Sequence, residues 1–256
     1  YSEAKFKRET WHNYWKTYIL PKVESQIHLN TMVTRIEYDS ESGQQTKVTL
    51  HTCDGRAFVG NKVILAVPLI VLQEGDIRFV PSLPETNRRA LSGGKMAPAL
   101  KVFIEFSERF YPDLQLPRGL TKTMMVDGVE LFYDAAYGKD TRHNVLGYVA
   151  VADPAKQYKH MASDDDIFQS VMEKLDKMFD GKPSRTYIKH RVMHWTRVQH
   201  IRGGYSFYGV DSPRQARKPV ANTIYFAGEY LGGEETSTVH GAALTGRAAV
   251  EAICSS

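Results

Sequence analysis

The chain has 256 residues, 42% of them apolar and 24% charged, with a formal net charge of +4. Those proportions exclude a disordered polar tract and suit a soluble globular protein, built as one large domain or two interleaved ones. The basic excess is mild and scattered, and its densest groups (residues 5–8 and 214–218) carry no interleaved aromatic stripe, so no nucleic-acid partner is expected. Cys53 and Cys254 are the two cysteines, and their separation gives neither a zinc spacing nor a disulfide framework, so no metal site is expected. No apolar run has the length of a membrane span and no signal-like segment is present. The chain begins at Tyr1 and reads as a piece of something longer. Its compartment is open, with the cytoplasm favoured.

In chain order, residues 4–24 place Phe6, Trp11, Tyr14, Trp15, Tyr18, Ile19 and Val23 at spacings of three and four. That predicts an amphipathic helix with Pro21 as a point of bending. From Ile27 to Leu65 the pattern changes to short strands, predicted over 31–38, 47–52, 57–59 and 63–67, with Asp54-Gly55 as a hairpin turn and Pro68 ending the last. Residues 77–90 read as extended and proline-punctuated, with a short helix from Glu85. Ala99 to Phe106 alternates like a strand, interrupted by Lys101, and further strands are expected near 130–134 and 144–152. Ser163 followed by Asp164, Asp165 and Asp166 predicts a capped helix to Phe179, ended at Gly181, with an apolar stripe read as core. Then come Trp195, a Gly203-Gly204-Tyr205 turn and a polar loop through Pro219. A buried strand over 223–226, a tight turn at Gly228, Glu229, and a helix from Thr238 into an alanine-rich run close the chain.

Few of these residues point to chemistry by themselves. An ammonium in an apolar strand is costly to bury without a partner, so Lys101 reads either as a functional buried lysine or as one reaching to water. Val33 reads equally as core or as a contact residue. The helix start at Thr238 offers unpaired N–H donors and partial positive charge, which attract an anionic or electron-rich ligand edge.

Taken together, the segments 27–36, 63–84, 96–111, 195–206 and 223–253 resemble, in order and spacing, the flavin amine oxidases. That group holds the monoamine oxidases, polyamine oxidases and lysine-specific histone demethylases. The resemblance implies an α+β fold: a substrate lobe with a mixed sheet flanked by helices, plus the C-terminal part of an α/β FAD-binding lobe. It assigns residues 1–76 and 191–256 to the FAD lobe and 77–190 to the substrate lobe. It also implies an FAD-dependent enzyme that oxidises a small-molecule amine by hydride transfer to flavin N5. Imine hydrolysis and reoxidation by dioxygen then release hydrogen peroxide.

The resemblance carries over residue by residue. Lys101 is expected to hold a water beside flavin N5, Trp195 to pack against the ring, and Tyr205 to line the substrate cavity; these form the catalytic set. Val33 is expected at the adenine end, Glu229 as acceptor for FAD hydroxyls, and Thr238 and Val239 with their N–H groups toward the pyrimidine edge. Gly204 stands where monoamine oxidase carries its flavin-bonded cysteine, which implies non-covalent FAD. Thr238 replaces the second cage tyrosine, which implies substrates larger than a simple arylalkylamine.

The dinucleotide fingerprint G-x-G-x-x-G appears nowhere in these residues. The resemblance places it before Tyr1, so an N-terminal segment or separate chain carrying it is an expected partner, and tight FAD binding by these residues alone is not expected. Two other readings stay open. One is an L-amino-acid oxidase or desaturase of the same superfamily, with Arg78, Arg118 or Arg202 as partner for a substrate carboxylate. The other is a cofactor-less interaction module derived from the fold.

Overall fold

The computed structural model describes residues 6–39, 47–112, 123–126, 130–208 and 213–256; Arg118 lies outside them. In chain order the strands are β1 (Val33–Tyr38), β2 (Val48–Thr52), β3 (Ala57–Gly60), β4 (Val63–Leu65), β5 (Arg78–Val80), β6 (Gly94–Met96), β7 (Ala99–Phe106), β8 (Thr123–Val126), β9 (Glu130–Asp134), β10 (Asn144–Val151), β11 (Tyr187–His194), β12 (Ser206–Tyr208) and β13 (Ile224–Phe226). The α-helices are α1 (Trp11–Tyr14), α2 (Leu20–Val23), α3 (Leu69–Gln73), α4 (Glu85–Ser92), α5 (Asp153–Lys156), α6 (Asp164–Met178), α7 (Lys182–Thr186) and α8 (Val239–Cys254). Helices and sheets are mixed, an α+β arrangement. The chain forms two compact units, one from residues up to Ile27 with Pro98–Thr196, the other from His28–Ala97 with Arg197–Ser256.

The first unit is an antiparallel sheet ordered β11-β7-β10-β9-β8. Period-two alternation turns Leu100, Val102, Ile104 and Phe106 of β7 to one face, where Ile167, Val171 and Leu175 of α6 bury them. The start of α6 is fixed by a capping box: Ser163 Oγ accepts from Asp166 N–H at 3.1 Å, and the Asp166 carboxylate accepts from Ser163 N–H at 2.9 Å. Gly181, at φ 67°, ends the run and returns its N–H to the Asp176 carbonyl at 2.9 Å. These features match the sequence expectation for 164–179.

The second unit holds a four-stranded sheet, β3-β2-β1-β5, and two pairs of short strands, β6 with β12 and β4 with β13. The Asp54-Gly55 turn joins β2 to β3 as expected, with Gly55 at φ 85°. Ile36, Val48, Leu65, Leu69, Ile224, Phe226 and Leu231 form its core. β4 and β13 run parallel, placing Val63 beside Ile224 and Leu65 beside Phe226.

Several expectations differ from the structure. The cut expected at residue 76 separates two paired strands, since β5 lies parallel to β1 with Arg35 opposite Arg78. Residues 77–97 therefore pack with the second unit. The N-terminal helix groups with the first unit, where Asp140 N–H donates to the Lys7 carbonyl at 3.2 Å and Lys139 Nζ donates to the Phe6 carbonyl at 3.2 Å. The second expected boundary, at 190, falls inside β11. The helix over 11–23 does form, and lacking an N–H at Pro21 it widens by one residue per turn across Trp15–Ile19. Its apolar stripe is not buried: Trp11, Trp15 and Tyr18 are half exposed, and the rings of Phe6, Trp11, Tyr14 and Tyr18 pack in series instead.

Candidate functional site

Each group of candidate residues belongs to one unit. In the first, antiparallel pairing sets Lys101 opposite Val149 on β10 and Met193 on β11. Alternation sends Lys101, Phe103 and Glu105 to the sheet face opposite α6. Lys101 is exposed there, as the reading of a lysine reaching to water describes. Phe103 and Tyr133 on the same face meet edge to face, centroids 6.4 Å apart. Gly147 lies beneath Tyr133, where an added Cβ would stand 2.4 Å from Cζ of the ring. Trp195 follows β11 directly and is half-buried, and the next residue, Thr196, accepts through Oγ1 from Ala99 N–H at 3.1 Å. That bond ties the end of β11 to the start of β7.

In the second unit the glycine turn is pinned from both sides. Gly204 N–H donates to the Ala97 carbonyl at 2.9 Å, and Ala97 N–H donates to the Tyr205 carbonyl at 2.9 Å. A Cβ at Gly203 would stand 3.0 Å from that same Ala97 oxygen, which explains a glycine there. Tyr205 is 38% exposed, so its ring is available to a ligand. Ser206 begins β12 and is fully buried.

Glu229 opens a short helical turn (Glu229–Leu231) after Gly228. Its Oε1 accepts from Ser206 N–H at 3.1 Å, and its Oε2 accepts from Ser206 Oγ–H at 3.0 Å and from Ser237 N–H at 3.0 Å. Thr238, the N-cap of α8, accepts through Oγ1 from Gly241 N–H at 3.0 Å. Val239 opens the helix half exposed. At Gly241 an added Cβ would stand 2.0 Å from the Glu235 carbonyl oxygen, so the first turn approaches closely only with glycine. Thr245, one of the buried residues of α8, takes the Gly228 N–H on Oγ1 at 2.9 Å and holds the helix to the turn. Sequence reasoning missed this contact and the protein partners of Glu229.

Two buried hydroxyls lie within electrostatic reach of Glu229. Burial, with the Glu229 charge behind it, pushes Tyr208 up to about 12. Burial also raises Tyr230, helped by Tyr208 and Glu229. Neither hydroxyl has a hydrogen-bond partner among the described residues. Val33 sits apart from this cluster of bonds, half-buried on β1 against the core and paired with Thr52.

Arg202 is committed within the protein, to Asp76 at 2.6 and 3.3 Å and to Glu74 at 3.2 Å. Arg78 is exposed on β5 and lines a groove of about 1370 Å³ formed by residues between Leu72 and Met96, which contains none of the residues expected to meet the flavin or the amine. Among the described residues no group of three His, Cys, Asp or Glu is placed to hold a metal ion, and no helix is long and apolar enough to cross a membrane. Cys53 and Cys254 are free and exposed.

The capped start of α8 and the pinned tyrosine turn share one carboxylate, that of Glu229. The sequence profile of the flavin containing amine oxidoreductases matches residues 17–254. The chain belongs to that family. It is 32% identical over 211 residues to polyamine oxidase 3 of Oryza sativa subsp. japonica, covering 81% of this chain and 42% of that one. It is 30% identical over 245 residues to histone demethylase-like protein A of Aspergillus fumigatus, covering 89% and 22%. Among solved structures, the cyclohexylamine oxidase of Brevibacterium oxydans superposes with a TM-score of 0.75 at 19% identity, covering 93% of this chain and 51% of that one. A putrescine oxidase solved with putrescine bound superposes with a TM-score of 0.73 at 18% identity, covering 91% and 51%. The chain thus spans less than half the length of these curated relatives and about half of the solved ones.

Proposed function

We propose that the chain contributes to an FAD-dependent amine oxidase, with the start of α8 and the Glu229 cluster as its cofactor-facing surface. The observation that carries this reading is the pairing of a capped helix N-terminus with a tyrosine turn through one carboxylate. The residues present fit a flavin. In the first turn of α8 the N–H groups of Val239 and His240 have no acceptor within the helix, and such a terminus favours an electron-rich edge. Glu229 Oε1 receives one protein bond, from Ser206 N–H at 3.1 Å, and has capacity for a further donor such as a hydroxyl.

When bound, FAD would accept hydride from the carbon beside the amine and pass electrons to dioxygen, giving an imine that hydrolyses and hydrogen peroxide. Within that frame, the helix terminus stabilises negative charge at the ring edge without reorganising. Tyr205 presents a flat ring to an amine, a geometry that favours a cation. Lys101 organises water with a hydrated ammonium, and Trp195 shapes the ring's surroundings. Binding is non-covalent, since Gly204 offers no thiol at the turn. The pyrophosphate is held by a G-x-G-x-x-G segment outside these residues, consistent with the span of about half the solved relatives.

The substrate is an amine of the polyamine or alkylated-lysine kind, in keeping with the relatives' names and with Thr238 in place of a second cage tyrosine. The ion pairs of Arg202 disfavour the amino-acid-oxidase reading, because that guanidinium already holds two carboxylates. The test is the full-length protein, expressed with whatever flanks these residues and read by flavin absorption and peroxide release. Polyamines, an N-methyl-lysine peptide, an arylalkylamine and amino acids are supplied in parallel. Peroxide from the first two is the expected result. Turnover of amino acids alone would transfer the chain to the amino-acid oxidases, and a protein that takes up no flavin would leave the interaction-module reading.

A further inference from the structure

We infer that Glu229, Ser206 and Ser237 form a positioning clamp that sets Tyr205 and the first turn of α8 in one geometry within the protein itself. The inference rests on the flavin reading for its purpose, and on the bonds alone for its existence. Ser206 and Ser237 are 31 residues apart, yet Ser237 Oγ donates to the Ser206 carbonyl at 2.6 Å. The Glu229 carboxylate accepts from Ser206 through both N–H and Oγ, and from Ser237 through N–H. Each serine adjoins a candidate residue: Ser206 follows Tyr205, and Ser237 precedes Thr238. A change at either serine is therefore passed to the other through one carboxylate.

Backbone strain gives a second, independent sign. Ser237 sits at φ 69°, a left-handed conformation that a serine holds only where its surroundings over-determine it. Both its N–H and its Oγ are engaged, which supplies that determination. The approach of Glu229 is itself fixed one residue earlier, because a Cβ at Gly228 would stand 2.4 Å from Cε1 of Tyr230. Such a clamp differs from a simple ligand acceptor. Its protein donors hold the carboxylate without any bound molecule, and a hydroxyl donor from a ligand would add to them rather than replace them.

The test is amide exchange by NMR on the full-length protein. Glu229→Gln puts an N–H₂ donor among N–H donors and removes an acceptor. Hydrogen bonds to a charged group are strong enough that exchange at Ser206 and over Ser237–Gly241 should quicken by about tenfold or more, with α6 unchanged. Ser206→Ala removes the Oγ–H bond to the Glu229 carboxylate that Ser237 N–H shares, and should quicken exchange at Ser237–Gly241 although it lies 31 residues away. If Glu229→Gln does not fold, Ser206→Ala carries the test with Ser237→Gly, which removes the hydroxyl while relieving the left-handed conformation. Unchanged exchange at Ser237–Gly241 in Ser206→Ala overturns the clamp.

Flavin titration supplies the second arm: clamp variants should bind FAD about tenfold more weakly and shift its absorption maximum. Altered exchange with wild-type affinity and spectrum would overturn the positioning role while sparing the flavin reading. A wild-type protein that binds no flavin would sink that reading, and the exchange data would still decide the clamp.

Discussion

The hydroxyl of Tyr148 lies 2.6 Å from that of Tyr158, with both rings fully buried in the first unit. Lys174 Nζ donates to the Tyr158 hydroxyl at 3.0 Å and to the Glu130 carboxylate at 2.5 and 2.6 Å, and Gln157 Nε2 donates to Glu130 at 2.5 Å. One polar knot therefore joins α6, β9, β10 and the segment after α5 inside an apolar core. Satisfied networks of this kind specify a single packing, and half-satisfied ones are costly.

Removing one partner should show that cost. Lys174→Met strands a Glu130 side chain that is 5% exposed, and the full-length protein should lose about 3–5 kcal/mol of stability in urea unfolding. Adding Glu130→Leu should restore most of it. Equal stability of wild type and Lys174→Met would mean that the pair is not desolvated.

High pH should unfold the protein through the same region. Burial, with the Asp134 charge secondary, raises Tyr111 to about 12 from an ordinary 10.0. Burial and the bond to Tyr158 raise Tyr148 further. Phenols raised in the folded state contribute stability that is complete below about pH 10 and is lost as pH climbs through the folded values. Between about pH 10 and 12, phenolate absorbance and loss of near-ultraviolet dichroism should rise together. Ionisation of the buried Tyr111 and Tyr148 near pH 10 with the dichroism intact would contradict this.

Gly147 makes room for the Tyr133 ring. Gly147→Ala should displace that ring and lower stability by about 1–3 kcal/mol, the range for overpacking. Combining it with Tyr133→Ala should remove the clash, so the two changes should be non-additive in thermal melting. Additive losses would place the ring elsewhere.

Because Lys101 is exposed, Lys101→Met should alter stability by no more than about 0.5 kcal/mol. Under the proposed chemistry, stopped-flow reoxidation of the reduced protein by dioxygen should slow by about tenfold or more, while the amine's KM changes little. Equal reoxidation rates would remove the lysine from the mechanism.

Local rules made much of the fold legible. Ser163, the three aspartates and Gly181 announce α6, and Asp54-Gly55 announces a hairpin, because capping and positive φ are decided within a few residues. β11 was missed because Lys189, His190 and Arg191 break its alternation, as an edge strand with one partner permits. α3 hid in the apolar run after Pro68, where periodicity does not distinguish strand from helix. β6 and β12, three residues each, exist only through each other. The site divides the same way: the Thr238 cap was readable in sequence, whereas the exposure of Lys101 and the donors to Glu229 depend on partners far along the chain.

The parallel pairing of β4 with β13 sets an order of assembly on the ribosome. By the time Thr196 emerges, every described strand of the first unit has been made, while β4 still lacks the neighbour it meets at Ile224–Phe226. Units of this kind fold as units during synthesis. The inserted segment can thus close as a finished parcel while its host waits, half-zipped, for β13 to be made.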